Sequence, residues 1–317
     1  MKCIRIIAML VLLAGSGSAW AEYPNRAVTI VNPFGVGGSG DSIQRVIAQG
    51  LTEETGQPFI VENKVGAAGR VGYGEVAQAD GDGYTLVAAD VSYSAYPSLY
   101  QLPWNFDDDL VPVAVYGDVP FVLTTTPDTG LKDLQDLLDY AKEHPGEITF
   151  SSSGIGAVNH LVGEVVALKG GVELRHVPYR GGSAALQGLL SGTVKVMITG
   201  LPSALERAKA GELVILAQTG AERSSFAPEI PTLKEFGIDA SMTLWYGMMA
   251  PKGTPEKVID YLHENVLKVL EKPAVIAELE KFGVKSSGLS PEEMEALISS
   301  NVTTWGAAVQ AAGIKVD

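Results

Sequence analysis

The residues with the most chemistry to offer lie in two short stretches that share one design. In the first, Pro33 to Asp41, four glycines (Gly35, Gly37, Gly38, Gly40) stand around Phe34 and Ser39, and Asp41 and Ser42 close the run. Glycines at that density leave almost no side-chain bulk, so backbone N–H groups can approach a ligand closely. Asp41 and Ser42 are residue types that cap a helix start. A helix N-terminus carries unpaired N–H donors and about half a positive charge, so the chemistry on offer is anion binding by backbone rather than by a cationic side chain. The second stretch repeats the plan: Ser151, Ser152, Ser153, Gly154, Gly156 and Ala157 precede a helix that carries Asn159, His160 and Glu164. Two such helix ends facing each other would hold one small acid between them.

These stretches need strands in front and helices behind, and the flanking residues supply both. Val28, Ile30 and Val31 read as a buried strand that Pro33 ends, because proline has no N–H for the ladder; Ile148 to Phe150 does the same for the second unit. Helix Ser42 to Thr55, strand Phe59 to Val61, helix Arg70 to Ala79 and strand Tyr84 to Ala88 then alternate, as in a parallel sheet with helices on both faces. Ligands of such sheets sit at the carboxyl ends of strands, so the loop after Ala89, with Ser92 and Tyr93, is expected to wall the site. Residues 101–112 read as a solvated loop, and Val113 to Tyr116 and Pro120 to Thr125 as separate strands, the second crossing into another lobe. Leu244 to Pro251 crosses back, and Thr254 to Leu270, Pro273 to Phe282 and Pro291 to Ala311 close the chain as helices. The expected fold class is α/β, in two similar lobes, each a mixed sheet flanked by helices. Lobe one comprises residues 22–122 and 246–317, lobe two residues 123–245, and two crossings make a hinge.

Residues 1–21 have the form of a signal peptide: Lys2 and Arg5, an apolar run from Ile6 to Ala14, and Ala19-Trp20-Ala21 before a cleavage at Glu22. The chain is therefore expected to be exported. Its one cysteine, Cys3, lies in that segment, which leaves disulfide and thiolate chemistry out of the mature protein. A formal net charge of −14 argues against nucleic acid or an anionic membrane as partner. An anionic ligand is still admissible, since surface charge is screened beyond about 8 Å at physiological salt.

Catalytic and metal chemistry find little support. The four histidines, His144, His160, His176 and His263, have no metal-ligand spacing. Gly154 to Asn159 lacks the third glycine of a dinucleotide fingerprint, no glycine cluster runs into Gly-Lys-Ser/Thr, and no Gly-x-Ser-x-Gly elbow occurs. No cofactor and no metal are expected. His160 reads first as a hydrogen-bonded structural residue and second as a ligand contact. Tyr179 divides evenly between facing the cleft and packing, Trp245 between covering the ligand and filling the core. Arg180 reads as a surface residue or, if turned inward, a carboxylate partner. Asp41 would repel an anion if uncompensated, which favours a role in orienting the loop.

Taken in order, Tyr23-Pro24, Pro33 to Asp41, Val61 to Gly69, Asp82 to Leu86, Ser152 to Glu164, His176 to Gly182, Leu201 to Leu205, Met249 to Pro255 and Ala311 to Asp317 resemble the solute-binding proteins of tripartite tricarboxylate transporters, the Bug or TctC family of Gram-negative bacteria. The resemblance covers essentially the whole chain after the signal segment. It implies a two-lobed periplasmic-binding-protein (Venus flytrap) fold and a non-enzymatic receptor in the periplasm, working as a monomer, that closes on a small di-, tri- or aromatic carboxylate and delivers it to a membrane permease. It implies that backbone donors and waters of the two loops hold the carboxylate: Phe34, Gly37, Gly38, Ser39, Gly40 and Asp41 on one side, Ser153, Gly154, Gly156, Ala157, Asn159 and His160 on the other. Thr199-Gly200 stands where the family often has Asp-Asn, which points away from an amino acid and toward a plain acid. Trp245 and Tyr246 are available to cover its body. A ligand-loaded sensor for a signalling kinase is the alternative output, and a nucleotide- or dinucleotide-using enzyme a remote one.

Overall fold

The structure, a computed structural model, describes residues 23–316; the expected signal peptide and its cleavage point lie outside the described residues. Val28–Asn32 (β1), Phe59–Asn63 (β2) and Thr85–Asp90 (β3) pair in parallel, with β1 in the middle. Ile30 and Val31 point to opposite faces and join different apolar clusters, so both faces of the sheet are covered. Because the three strands run the same way, Asn32, Asn63 and Asp90 end on one edge. The Gly-rich stretch leaves β1 at that edge and enters the helix Ser39–Thr55 (α1). Helix α1 thus begins three residues before the expected Ser42, with Gly38 rather than an aspartate or serine as its N-cap. The helix Arg70–Ala77 (α2) and a short one, Tyr96–Leu99 (α3), follow β2 and β3.

The two strands expected between residues 113 and 125 are one. Leu110–Thr125 (β4) runs unbroken, and two register shifts against its neighbour, around Pro112 and before Gly117, absorb the residues that interrupt the apolar pattern. The expected solvated loop is also part of the core at two points: Leu110 and Trp104 are both buried. Strand β4 then continues into a second set of strands. These are Thr149–Ser152 (β5), Arg175–Pro178 (β6), Val196–Gly200 (β7) and Val214–Gln218 (β8), with β5 parallel to β6 and β7, and β4 antiparallel to β7 and β8. Thr243–Pro251 (β9) lies between β3 and β4, antiparallel to both. A tenth strand, Lys285–Leu289 (β10), pairs with β4; its half-polar sequence gave no alternation to read.

Helices Leu134–Glu143 (α4), Val158–Gly170 (α5), Gly182–Leu190 (α6) and Leu201–Lys209 (α7) accompany the second strand set. Glu256–Leu270 (α8), Pro273–Lys281 (α9) and Pro291–Ala312 (α10) close the chain. Ser290 and Glu293 form both halves of the capping box at the start of α10. No helix of the described residues is long and apolar enough to cross a membrane.

Candidate functional site

The first loop is held from below by Asp41, which is 2 % exposed. Its Oδ1 accepts hydrogen bonds from Asn32 Nδ2 (3.0 Å), Asn63 Nδ2 (2.8 Å) and Arg45 Nη2 (3.1 Å). Its Oδ2 accepts from the Gly37 N–H (3.0 Å) and Arg45 Nε (3.1 Å). Burial alone would raise the Asp41 pKa. The bonds from Arg45, Gly37, Asn63 and Asn32 outweigh it and hold the carboxyl well below the usual carboxylate range. Asn63 also donates to the Phe34 carbonyl (2.9 Å), and Gly37 takes the left-handed turn, φ +83°. Asp41 therefore faces the scaffold rather than solvent.

Apart from Val36, what the loop presents outward is mostly backbone. The first α1 bond is from the Ser42 N–H to the Gly38 carbonyl (3.0 Å). The N–H groups of Ser39, Gly40 and Asp41 thus form the first turn, which has no intrahelical acceptor. Phe34 and Gly40 are half-buried, Gly37, Gly38 and Ser39 exposed. Ser39 Oγ shares a hydrogen bond with the Tyr246 hydroxyl (3.1 Å), and a Cβ on Gly40 would touch Tyr246 and Phe34. Tyr246 joins the loop from β9, more than two hundred residues away, and no local pattern could have placed it there.

The second loop is braced differently. Asn159 Oδ1 accepts from the Ser153 N–H (3.2 Å) and hydroxyl (3.0 Å), while its Nδ2 donates to the Ile198 carbonyl on β7 (3.3 Å). His160 is buried; its Nδ1 accepts from the Gly156 N–H (3.1 Å), and Nε2 faces Glu164 Oε1 at 3.3 Å. It stacks on His176 at 3.6 Å between centroids, and His176 Nε2 lies 2.6 Å from Ser152 Oγ. His160 and Asn159 are thus structural braces of the loop. Ala157 is the N-cap of α5, and Gly154 and Gly156 take φ of +150° and +75°, values that L side chains resist. Each loop also carries one exposed apolar side chain at its tip, Val36 (76 %) and Ile155 (53 %).

His176 gives this loop a pH dependence. Burial first, then the neighbouring His160, lower its pKa to about 4. The unfolded chain binds a proton near pH 6.5 and the native state only near 4, so stability falls as pH drops through that window. Allowing for its partial exposure, the contribution is about 2 kcal/mol. We expect His176→Gln to lose less urea resistance than the parent between pH 6.5 and 4. Asp90 works in the opposite direction, so the difference between the two proteins is the readout; equal losses would assign the acid sensitivity elsewhere.

The remaining expected residues scatter. Ser92 follows the end of β3, where Asp90 Oδ1 accepts from its N–H (2.8 Å) and its hydroxyl. Tyr93 is buried, stacked on Phe106 and donating to the Phe106 carbonyl (3.1 Å); it borders a cavity of about 580 Å³ behind that wall, which none of the loop residues lines. Trp245 is 0 % exposed, within the core. Tyr179 lays its ring against Gly188 of α6, while its carbonyl is the part near Gly154. Arg180 is exposed. Thr199 is half-buried at the carboxyl end of β7, one residue beyond the carbonyl that Asn159 grips. No group of three metal-ligating side chains occurs among the described residues.

Desolvation raises the carboxyl of Asp90 to about 6, against the hydrogen bonds from Ser92 that lower it. It was legible in the sequence only as one polar residue of a loop.

The profile described as "Tripartite tricarboxylate transporter family receptor" matches residues 43–314. Protein BugT of Bordetella pertussis is 33 % identical over 99 % of this chain and 98 % of its own. Among solved structures, Rhodopseudomonas palustris Rpa4515 with adipate is 31 % identical, with a TM-score of 0.78 over 93 % of this chain and 99 % of that one. MatC (Rpa3494) from Rhodopseudomonas palustris with bound malate is 28 % identical, with a TM-score of 0.74 over 90 % of this chain and all of the other. The fold is that of a periplasmic binding protein, and such proteins are transport receptors rather than enzymes. The family match over residues 43–314 and the level of identity place this chain in the tripartite tricarboxylate transporter receptor family, the family of the Bug proteins.

Proposed function

We propose that this protein captures a small carboxylate between its two Gly-rich loops and delivers it to the membrane permease of a tripartite tricarboxylate transporter. The observation that carries the reading is the first turn of α1. Three N–H donors without intrahelical acceptors lie at the carboxyl end of a parallel sheet, on a loop whose one acidic side chain is turned away and neutralised by Arg45. Adipate and malate in the two structural relatives support a carboxylate as the ligand class. The segments 22–122 with 246–317, and 123–245, act as the two lobes, with β4 and β9 as the connections between them. An acid enters the open form and accepts N–H bonds from lobe one; lobe two closes, and exclusion of water strengthens those bonds. Val36 and Ile155 become buried in the closed form, and only the ligand's greater affinity for it drives the shift. The protein acts as a monomer in the periplasm after cleavage before Glu22.

A thermal-shift screen of residues 22–317 against mono-, di- and tricarboxylates and their methyl esters tests this. A cognate acid should stabilise by about 2.7 kcal/mol at a hundredfold excess over its Kd, and its ester by almost nothing. Equal stabilisation by acid and ester would show that the cleft reads the apolar body and not the charge.

A further inference from the structure

Asp90 stands on the edge where the first loop stands, and the loop's own bonds leave it unused. It ends β3, pairs in register with Tyr246 across the ladder, and that tyrosine's hydroxyl meets Ser39. Its Oδ1 takes both hydrogen bonds from Ser92, and Oδ2 takes none among the described residues. The surroundings are phenolic: Tyr73, whose hydroxyl accepts from the Asp90 N–H (3.3 Å), with Tyr96 and Tyr246 close enough to feel the charge. Asp90 forms no ion pair with any described lysine or arginine. A carboxylate has about four acceptor positions, and leaving them unfilled in a desolvated place is costly. Such a group persists where something supplies the missing donor. Asp90 is half-buried, so the open side is reachable from outside.

We propose that Asp90 sets the specificity of the cleft by accepting a hydrogen bond from a hydroxyl or ammonium group on the body of the bound acid. This rests on the carboxylate reading above and narrows it. The ligand is a hydroxy acid or an amino acid, not the plain acid that Thr199-Gly200 suggested. The backbone donors of α1 hold the carboxylate, and Asp90 would repel a second bare carboxylate placed against it. A ligand hydroxyl leaves the charge in place and fills one acceptor position. A ligand ammonium also neutralises it, so the two donors differ in how they respond to loss of the Asp90 charge.

The test is a set of chain-length-matched acids from three to six carbons: plain, hydroxylated and aminated, titrated by calorimetry at pH 7.5. At one chain length a hydroxylated or aminated acid should bind at least tenfold tighter than the plain one. Asp90→Asn keeps an acceptor oxygen, so it should retain most of a hydroxy-acid preference and lose most of an amino-acid preference. Asp90→Ala should abolish either. Plain acids bound as tightly as their substituted counterparts, or ratios unchanged in both variants, would overturn the assignment while leaving the carboxylate reading intact. Substituted methyl esters that keep the donor preference and bind as well as the acids would overturn the carboxylate reading and leave Asp90 in its role. Silence of the whole set would overturn both.

Discussion

Replacing Gly38 with valine is expected to cut carboxylate affinity at least a hundredfold and to leave the fold intact. Gly38 is the N-cap of α1 at φ −73°, ψ 164°, an extended conformation that suits a β-branched residue. A Cβ there would meet only the Gly35 carbonyl oxygen, at 3.6 Å. The substitution should therefore change unfolding free energy by no more than about 0.5 kcal/mol. The isopropyl group would stand over the N–H donors of Ser39 and Gly40, and each charge-assisted bond lost costs roughly 1.5–3 kcal/mol. Two lost bonds exceed the roughly 2.7 kcal/mol that a hundredfold change represents. Calorimetry beside urea unfolding separates the two effects, and unchanged affinity would show that the anion is held elsewhere. Gly156 is a poorer probe, because φ +75° and a Val316 methyl 3.1 Å away would strain any side chain placed there.

Asp41→Ala is expected to do the opposite, damaging the scaffold first. It leaves the amides of Asn32 and Asn63 and the Gly37 N–H without their acceptor, and Arg45 without its counter-charge. Removing one partner from a buried charged network costs about 3 kcal/mol or more. The loss should show in urea unfolding at pH 7, with carboxylate binding lost alongside. Because Asp41 is held below the usual carboxylate range, its contribution is present above pH 4 and is lost only as the pH falls below that toward its native value. The parent and Asp41→Ala should therefore differ fully at neutral pH and converge in strong acid. Asp41→Asn presents an amide to several of the same donors and should lose nearly as much as alanine; a neutral result would mean that shape alone holds the loop.

The two strand–glycine–helix units were legible because each is local: β-branched runs, a break at Pro33, glycines, then helical spacing, all within about twenty residues. The same holds for the Ser290–Glu293 box. The failures share a cause too. Strand β4 looked like two strands because Gly117 and Asp118 interrupt its apolar run, yet shifts in register against β9 carry it through. Trp104 reads as part of a solvated loop, Tyr93 as a wall of the site and Trp245 as either ligand cover or core, and all three are buried; burial depends on what packs over a side chain, and nothing near them in sequence records that.

By itself the sequence determined the α/β class, the two Gly-rich helix starts and the family motifs, since propensity and glycine content act over a few residues. Only the tertiary structure decided which way the charged side chains face. Asp41 turned inward because Asn32, Asn63 and Arg45 converge on it, and Tyr246 reached Ser39 because β9 inserts beside β3. Asp90 is left with an unfilled oxygen because burial beside Tyr73, Tyr96 and Tyr246 desolvates it and no described lysine or arginine pairs with it. Such outcomes depend on contacts between residues far apart in the chain, where geometry and desolvation, not residue type, fix the energy.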